Sequence, residues 1–400
     1  MRQRVAITGL GAVCALGGDV PTIWAALKAG TSGIGPIRGI PTGRLSASIA
    51  AEIDGFDAAA HFDSRRLPML DRAAQLAVVA AREAVLAAGL LPDAARAHRR
   101  GVILAAAIGQ SSLDAAYLAF YGEGAARVHP LTVPRVMPNA PASHLSMEFG
   151  LCGPSYAVAS ACASANHAIG LAADTIRAGR AEVMLTGGAD ASIVVGVFKS
   201  WEALRVLSAD ACRPFSRDRS GLVLGEGAAV LVLEDWDHAR RRDAPILAEL
   251  AGSGMSADGL DLTAPDAGGA ASAMRAALDD AVLDAAEVGY VNAHGTGTRL
   301  NDRTESAALR QVFGRPPPVS SSKSMIGHCL SAGGALEAVA TIMALRDGVL
   351  PPTAGFREAD PECDVDCVPN VSRAAPIQAA LSNSFAFGGL NAVLAFRRAA

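Results

Sequence analysis

Apolar residues along the chain occur in two kinds of segment, short β-prone runs and longer stretches in which they recur at helical spacing. Strands are predicted at 4–8, 101–107, 155–160, 183–190, 245–252, 288–293 and 319–322, with a bent strand or strand pair at 223–233. Helices are predicted from Val20 onward and at 68–88, 167–179, 268–283 and 331–347. Because strands and helices alternate, we expect an α/β fold with mostly parallel sheets.

One layout occurs twice in the chain. A strand, a turn of small residues and an alanine-rich helix cover 155–179, and the same order of elements returns at 319–347. The repeat rests on this layout and not on residue identity. It predicts two similar halves with a break near 238–246, and we divide them as residues 1–243 and 244–400.

The segment VASACASAN places Cys162 between a predicted strand and a predicted helix, among small residues. Small neighbours permit a sharp turn and the close approach of a substrate. The N-terminus of the following helix carries a partial positive charge, which is expected to lower the pKa of the thiol and to favour the nucleophilic thiolate. The alternative is that Cys162 is a small buried core residue, as most intracellular cysteines are.

Composition narrows the possible classes of function. The chain has 400 residues and a formal net charge of −4, so it offers no general electrostatic surface for nucleic acid. Its seven cysteines have no regular spacing, which argues against a disulfide framework and favours a reducing, cytoplasmic compartment. The apolar run near the N-terminus is broken by Gly9 and Gly11 and lacks a cleavage site, and no run of 18 apolar residues predicts a membrane span.

Glycines and prolines mark the predicted turns and loops. Gly9 and Gly11 are expected to turn the chain after its first strand, and Cys14 stands where a dinucleotide-binding fingerprint needs its third glycine. Similar turns are predicted at residues 187–188 and 388–389. Residues 32–66 are expected to be rich in loops, and the proline-containing segment 117–144 is expected to be an irregular excursion that covers a pocket.

Two histidines lie just beyond predicted strands, His294 in NAHGTGT and His328 in SSKSMIGH. The carboxyl ends of strands in an open α/β sheet are where ligands bind, and Cys162 is in a position of the same kind. Lys323 and Glu337 are either a buried ion pair close to this site or two solvated charges. No metal site is predicted, because the pair Cys363 and Cys367 has no second pair of ligands at a suitable spacing.

Five motifs together resemble the elongating β-ketoacyl-[acyl carrier protein] synthases, which are condensing enzymes of the thiolase superfamily. The motifs are SACAS, RPFSRDRSGLVLGEGA, NAHGTGT, SSKSMIGH and NSFAFGGLN, and the match runs in order along practically the whole chain. The resemblance implies a duplicated thiolase-like fold in five layers, αβαβα, and a homodimer. It also implies acyl carrier protein as the partner that delivers acyl and malonyl groups, and no cofactor.

The resemblance assigns a role to each residue of the motifs. Cys162 would carry the acyl group as a thioester, and His294 and His328 would donate hydrogen bonds to the malonyl thioester carbonyl. Lys323, with Glu337, would order the second histidine.

The remaining assignments concern the pocket and the carrier protein. The backbone N–H groups of Cys162 and Phe387 would bind the oxyanion, and Phe387 would gate the site within a glycine-rich loop that includes Gly388. Other positions are expected to line the acyl pocket or to form a basic docking patch for the acidic carrier protein: Ile108 and Phe198 for the pocket, and Arg65, Arg66 and Lys199 for docking.

Several alternatives and departures accompany this resemblance. An initiating synthase would have asparagine in place of His328, a degradative thiolase would have a second catalytic cysteine near residue 387, and a chain-length factor normally lacks Cys162. Ala386 and Leu390 differ from the usual glycine and threonine of the gating loop, so the preferred acyl length stays open. Fatty-acid elongation is the first expectation for the pathway, and the alternatives are a specialised polyketide or polyene lipid pathway and a non-catalytic partner subunit.

Overall fold

The computed structural model describes residues 3–106 and 110–399. Within these residues the strands are β1 (Val5–Cys14), β2 (Gly35–Pro36), β3 (Ile49–Ala50), β4 (Arg100–Ala106), β5 (Ser155–Val158), β6 (Val183–Asp190), β7 (Gly227–Asp235), β8 (Ala248–Ala257), β9 (Val288–Asn292), β10 (Val319–Ser320), β11 (Val349–Leu350), β12 (Arg373–Ala374), β13 (Ala379–Ala386) and β14 (Leu390–Arg398). The α-helices are α1 (Val20–Ala29), α2 (Ala58–His61), α3 (Arg72–Ala87), α4 (Gln110–Tyr117), α5 (Thr132–Val136), α6 (Ala140–Phe149), α7 (Ser164–Arg177), α8 (Val195–Ala203), α9 (Trp236–Arg241), α10 (Ala267–Ala281), α11 (Arg299–Phe313), α12 (Lys323–Ile326) and α13 (Gly333–Asp347).

Ten strands form one mixed sheet whose two halves have the same topology. The order across the sheet is β10-β9-β13-β14-β8-β1-β7-β6-β4-β5. In the first half, β1 pairs antiparallel with β7, β7 antiparallel with β6, and β6 parallel with β4. In the second half, β8 pairs antiparallel with β14, β14 antiparallel with β13, and β13 parallel with β9. The halves meet where β1 and β8 pair over two positions, Ala6 with Glu249 and Ile7 with Ala248. This internal repeat confirms the duplicated, thiolase-like α/β fold. The prediction of mostly parallel sheets is wrong, because five of the nine strand pairings in this sheet are antiparallel.

Helices cover the sheet in layers. The buried helices α7 and α13 contact each other and both halves of the sheet, so they form the central layer. On the outer faces, α3 packs on β1 and β7, and α10 packs on β8 and β14, which completes the five layers. Even α13, which is buried over nearly its whole length, has only 15 residues. In the described part of the chain no helix combines the length and the apolar character that crossing a membrane needs.

The division of the chain between residues 243 and 244 falls in the connection from α9 to β8. Each predicted strand and helix is present, with bounds shifted by a few residues. Of the elements described above, eight helices and five strands were not predicted from the sequence: α2, α4, α5, α6, α8, α9, α11 and α12, and β2, β3, β11, β12 and β13. In α6 the proline that suggested irregular structure, Pro141, lies in the first turn, where a missing N–H removes no intrahelical hydrogen bond.

The prediction of a glycine turn after the first strand is wrong. β1 continues through Gly9 and Gly11 to Cys14, and both glycines face α3. A Cβ on Gly9 would lie 2.1 Å from the carbonyl oxygen of Ala84, and one on Gly11 would lie 1.9 Å from that of Ala80. Glycine at these positions therefore lets a helix approach the sheet closely. Gly187 and Gly188 likewise lie inside β6 and not in a turn.

The segment 117–144 is also more regular than predicted. It contains the end of α4, a π-helical turn at Leu118–Gly122, α5 and the beginning of α6. Several of its large apolar side chains are exposed: Tyr117, Leu118, Phe120, Tyr121, Leu131 and Val133. The side chains that line the cavity beside Cys162 come from other segments, so the segment does not cover that pocket.

Candidate active site

Cys162 lies in a sharp turn between β5 and α7. The turn is one 3₁₀ helix, Ala161–Ala163, and Ala161 enters it with a φ of +48°, a left-handed conformation that non-glycine residues rarely adopt. Ser164 fastens the turn, because its hydroxyl donates to the carbonyl of Ala161 at 2.6 Å and accepts from the N–H of Ser160 at 2.7 Å. The Cys162 side chain is thereby held at the end of the strand and beside the helix N-terminus, and the residue is buried.

His328 lies directly beside this sulfur. Its Nε2 is 3.1 Å from Cys162 Sγ, and its backbone N–H donates to the carbonyl of Val223 at 2.7 Å. The other ring nitrogen, Nδ1, accepts a hydrogen bond from the backbone N–H of Leu330 at 3.3 Å. A neutral imidazole that accepts at Nδ1 carries its proton on Nε2. His328 therefore presents an N–H donor to Cys162 and to whatever enters the space between them.

His294 lies in the loop that follows β9. Glu305 on α11 holds this loop, because its carboxylate accepts from the backbone N–H of His294 at 2.9 Å and from that of Gly295 at 2.7 Å. Asn383 also donates to Glu305, at 3.1 Å. The imidazole rings of His294 and His328 lie edge to face, with centroids 5.4 Å apart. Glu305 was not singled out from the sequence, since α11 was not predicted, and Asn383 was noted only as part of the motif NSFAFGGLN.

Lys323 contacts His294. The resemblance implied instead that Lys323 would order the second histidine, His328. The Nζ of Lys323 lies 3.3 Å from Nδ1 of His294, and the ammonium group also forms a buried ion pair with Glu337. An ammonium group can only donate, so Nδ1 of His294 accepts and its proton resides on Nε2. The two histidines therefore share one arrangement, in which each Nδ1 is occupied and each Nε2–H is a donor.

Burial determines the charge states in this cluster. It lowers the pKa of His294 and of His328 well below the usual 6.5, and the charge of Lys323 lowers both further, so both rings are neutral near pH 7. Burial also raises the pKa of Glu337 to about 7, against the opposing effect of Lys323. The expectation of a lowered thiol pKa is wrong for this state of the protein. Burial raises the pKa of Cys162 to about 12, which outweighs the favourable charge of Lys323.

A cavity of about 130 Å³ opens beside the three reactive side chains. Apolar and hydroxyl side chains form most of its wall: Trp201, Val206, Leu222, Leu262, Thr296, Thr298, Leu300, Phe385, Ala386 and Phe387. Trp201 of α8 stacks on Phe387 with ring centroids 5.8 Å apart and an angle of 21° between the planes. Trp201 was not assigned a role from the sequence. Its one available indication was that a tryptophan is unusual in a chain with only 4% aromatic residues.

The loop that carries Phe387 is attached to a neighbouring loop by backbone hydrogen bonds. The N–H of Gly388 donates to the carbonyl of Leu262 at 2.7 Å, and the N–H of Asp258 donates to the carbonyl of Gly389 at 2.8 Å. Gly388 and Gly389 have φ values of +85° and +66°, which the turn from β13 to β14 requires. Phe387 is 36% exposed at this turn, so its ring lies between the cavity and solvent.

The structure describes one of the two residues predicted to line the acyl pocket. Ile108 lies outside the described residues. Phe198 is fully buried among Ile193, Leu222 and Leu330 and is not part of the cavity wall. Since Leu222 does line the cavity, Phe198 supports this wall from behind.

The three residues predicted to dock a carrier protein differ in their surroundings. Arg65 is exposed on the loop before α3. Arg66 is half-buried and pairs with Glu148, and Lys199 pairs with Glu202 on the same helix as Trp201. The positive charges of Arg66 and Lys199 are therefore partly neutralised within the protein.

Cys162, His294 and His328 also offer three metal-ligating atoms that lie within 4.8 Å of one another. Thiolate and imidazole are typical zinc ligands. The two Nε2–H groups, however, are donors in the arrangement described above, and a metal would need both to be deprotonated. That the protein uses no metal stays a prediction.

Comparison with known proteins supports one family. The family models for the N-terminal and C-terminal domains of β-ketoacyl synthases match residues 2–239 and 247–357. The chain is 50% identical to nodulation protein E of Rhizobium sp. (strain N33), and the match covers 100% of both chains. It is 39% identical to 3-oxoacyl-[acyl-carrier-protein] synthase 2 of Staphylococcus aureus (strain COL), over 99% of this chain and 98% of the other.

Two solved structures are similar over 100% of both chains. One is described as the ishigamide ketosynthase/chain length factor, with a TM-score of 0.96 and 37% identity. The other is the complex AntDE:AntF, a type II polyketide synthase acyl-carrier protein with its ketosynthase bound to the hexaketide, with a TM-score of 0.91 and 30% identity. The chain belongs to the β-ketoacyl synthase family and is a type II condensing enzyme of the thiolase superfamily.

Proposed function

We propose that this enzyme joins an acyl group on Cys162 to malonyl-[acyl carrier protein] in a decarboxylative Claisen condensation, and that it does so in fatty-acid chain elongation. The observation that carries the proposal is the arrangement of two neutral Nε2–H donors beside one sulfur, in a largely apolar cavity. Such donors stabilise negative charge that develops on a carbonyl oxygen, which is what a condensation needs.

In the first step Cys162 takes the acyl group. Its sulfur attacks the carbonyl carbon of an acyl thioester, the bond from that carbon to the carrier sulfur breaks, and the cysteine proton leaves with the carrier thiol. Because burial raises the pKa of the Cys162 thiol to about 12, attack requires stabilisation of the developing thiolate. The Nε2–H of His328, 3.1 Å from the sulfur, and the N-terminus of α7 provide it.

In the second step malonyl-[acyl carrier protein] loses carbon dioxide. The bond from the carboxylate to the α-carbon breaks, and its electrons form an enolate whose oxygen is the former thioester carbonyl. His294 and His328 donate their Nε2–H groups to this oxygen. A neutral donor suits this step better than a cation that must give up its proton, and burial keeps both rings neutral.

In the third step the enolate carbon attacks the acyl carbonyl on Cys162. A carbon–carbon bond forms, the thioester bond to Cys162 breaks, and the product is a 3-oxoacyl-[acyl carrier protein]. Cys162 leaves as the thiolate and takes up a proton from water, which restores the thiol. The oxyanion of this step is assigned to the backbone N–H groups of Cys162 and Phe387. Phe387, stacked on Trp201, separates the acyl and malonyl positions until the second substrate enters.

The partners follow from the same proposal. Acyl carrier protein delivers both substrates, in line with the carrier complex of a ketosynthase 30% identical to this chain. Arg65, Arg66 and Lys199 stay our assignment for the docking patch. A homodimer is proposed because the segment 117–137 exposes a set of large apolar side chains, which is unusual for a surface that faces only water.

A specialised lipid or polyketide pathway is the second candidate. It is favoured by the identity of 50% to nodulation protein E, against 39% to the Staphylococcus 3-oxoacyl-[acyl-carrier-protein] synthase 2. Trp201 and Ala386 in the cavity wall are the residues that would set a different acyl preference. The chemistry at Cys162 is the same in both cases.

One experiment tests the function and separates the two pathways. Purified enzyme is incubated with acyl carrier proteins that bear acyl groups of graded length and unsaturation, and the mass added to the Cys162 peptide is read. Malonyl-[acyl carrier protein] is then added and the 3-oxoacyl product is quantified. Loading of saturated chains followed by condensation supports fatty-acid elongation, and selective loading of unsaturated or aromatic groups supports the second candidate. Absence of loading with every donor, for a folded enzyme whose Cys162→Ala variant behaves identically, contradicts the condensing function.

A further inference from the structure

The internal repeat gives the molecule a second elbow. Leu330 enters the 3₁₀ turn Leu330–Ala332 before α13 with a φ of +43°, just as Ala161 enters the turn before α7 with a φ of +48°. In this correspondence the position of Cys162 is taken by Ser331. The second elbow therefore repeats the backbone of the nucleophile site but carries a hydroxyl, and Ser331 is buried.

Ser331 is tied to the end of β6. Its hydroxyl donates to Oδ2 of Asp190 at 2.7 Å, and its backbone N–H donates to the same oxygen at 3.2 Å. The Asp190 carboxylate also accepts from the hydroxyl of Ser192. Close approach of the turn to β6 is possible because Gly188 has no side chain, since a Cβ there would lie 2.6 Å from the carbonyl oxygen of Ser331.

The contact between Ser331 and Asp190 also holds Leu330, the residue that determines which ring nitrogen of His328 carries the proton. Leu330 precedes Ser331 directly, and its N–H donates to Nδ1 of His328 at 3.3 Å. A left-handed leucine is an unfavourable conformation that persists only when its surroundings impose it. Two hydrogen bonds from the next residue to a buried carboxylate are strong enough to impose it, because bonds to charged groups exceed ordinary ones.

Asp190 is a buried carboxylate at the end of β6, and apolar packing does not explain why a charged group stands there. Asp190 is buried, and within residues 3–106 and 110–399 none of the ion pairs includes it. A buried carboxylate without a cation is costly, and hydrogen-bond donors are the compensation the fold provides. The donors contributed by the second elbow both come from Ser331, its N–H and its hydroxyl. The Asp190 carboxylate therefore holds the turn that lies beside His328.

We propose that Asp190 and Ser331 are positioning residues for His328. They hold the left-handed turn at Leu330 so that its N–H occupies Nδ1 of the imidazole, which keeps the proton on Nε2 and aims it at the reacting carbonyl. This inference rests on the proposed function, because it assigns the Nε2–H of His328 to enolate stabilisation. The residues act through His328 and do not touch substrate.

The test compares Ser331→Ala and Asp190→Asn with the wild-type enzyme and with a matched control, Ser146→Ala. Ser146 donates a hydroxyl hydrogen bond to the carbonyl of Leu151 at 2.7 Å in α6, away from the site. Two rates are measured separately: acylation of Cys162 by an acyl carrier protein, and single-turnover condensation when malonyl-[acyl carrier protein] is added to enzyme already acylated. The tautomer of His328 is read from long-range proton–nitrogen NMR spectra of enzyme with ¹⁵N-labelled histidine, assigned with His328→Asn.

We expect both variants to reduce the condensation rate about tenfold or more, as loss of one orienting hydrogen bond implies, and to reduce acylation less, because the N-terminus of α7 also stabilises the thiolate in that step. The NMR spectrum should shift from the Nε2–H tautomer toward a mixture, whereas Ser146→Ala should match the wild type in all three measurements. A wild-type tautomer and an unchanged ratio of the two rates in folded Ser331→Ala or Asp190→Asn would overturn the inference. Absence of condensation by the wild type would instead contradict the proposed function, which is a separate result.

Discussion

Lys323 Nζ lies 3.3 Å from Nδ1 of His294 while the same ammonium group is paired with Glu337, so one buried cation links a histidine of the site to a carboxylate on α13. The lysine thereby does two things. It fixes the proton of His294 on Nε2, and it adds to burial, the main cause, in lowering the pKa of both histidines, which therefore stay neutral.

Lys323→Met should therefore impair both activity and stability. Condensation should fall about tenfold to a hundredfold, because His294 loses the donor that orients it. The free energy of unfolding should fall by about 3–5 kcal/mol, since Glu337 is left as an uncompensated buried carboxylate. Chemical denaturation and single-turnover condensation measure the two effects.

The double variant Lys323→Met/Glu337→Gln provides the control. It should recover most of the stability but not the condensation rate, because no buried charge is left unpaired while His294 still lacks its donor. Recovery of both quantities would show that the lysine is only structural.

Alkylation of Cys162 by iodoacetamide should rise about tenfold for each pH unit between about pH 7 and pH 9, with no plateau. The reactive species is the thiolate, and burial raises the pKa of this thiol to about 12, so the thiolate fraction keeps growing across this range. Peptide-resolved mass spectrometry separates Cys162 from the exposed Cys152. A plateau below pH 8 would mean that the helix N-terminus and Lys323 lower the pKa of the Cys162 thiol by more than burial raises it.

Trp201→Ala should broaden the range of acyl groups that load onto Cys162. Removing the indole takes away the stacking partner of Phe387, whose interaction is worth about 0.5–1.5 kcal/mol, and enlarges the cavity. Acylation by longer chains should therefore increase about twofold to tenfold relative to short ones. Trp201→Phe keeps a stacked ring and should stay close to the wild type. Identical chain-length profiles for all three proteins would exclude Trp201 from selectivity.

Gly11→Ala should destabilise the fold by about 1–3 kcal/mol or more, since its Cβ would lie 1.9 Å from the carbonyl oxygen of Ala80 on α3. Gly18→Ala is the matched control, because no atom lies within 4 Å of a Cβ at that exposed position. The midpoint of thermal unfolding distinguishes the two variants. Equal midpoints would contradict the close approach of α3 to β1.

Local pattern was sufficient for most of the fold. The strand, small-residue turn and helix around Cys162 were predicted because alanine and serine at these positions favour a tight elbow and a helix, and the same layout revealed the second half. Two predictions failed for one reason: Gly11 and Gly188 were interpreted as turn residues, but each accommodates a backbone from a distant segment. Whether a glycine turns the chain or admits a neighbour depends on that neighbour, which local sequence does not contain.

The sequence by itself determined which reactive groups the protein has and that Cys162 and His294 follow strands, whereas α12 separates His328 from β10. Only the tertiary structure decided how they work together, since Cys162 and His328 are 166 positions apart and meet across the two halves of the sheet. It placed Lys323 on His294, put Trp201 against Phe387, and raised the thiol pKa through burial that outweighs the charge of Lys323. Proton positions and pKa values depend on the groups and the solvent around an atom, and folding alone creates those surroundings.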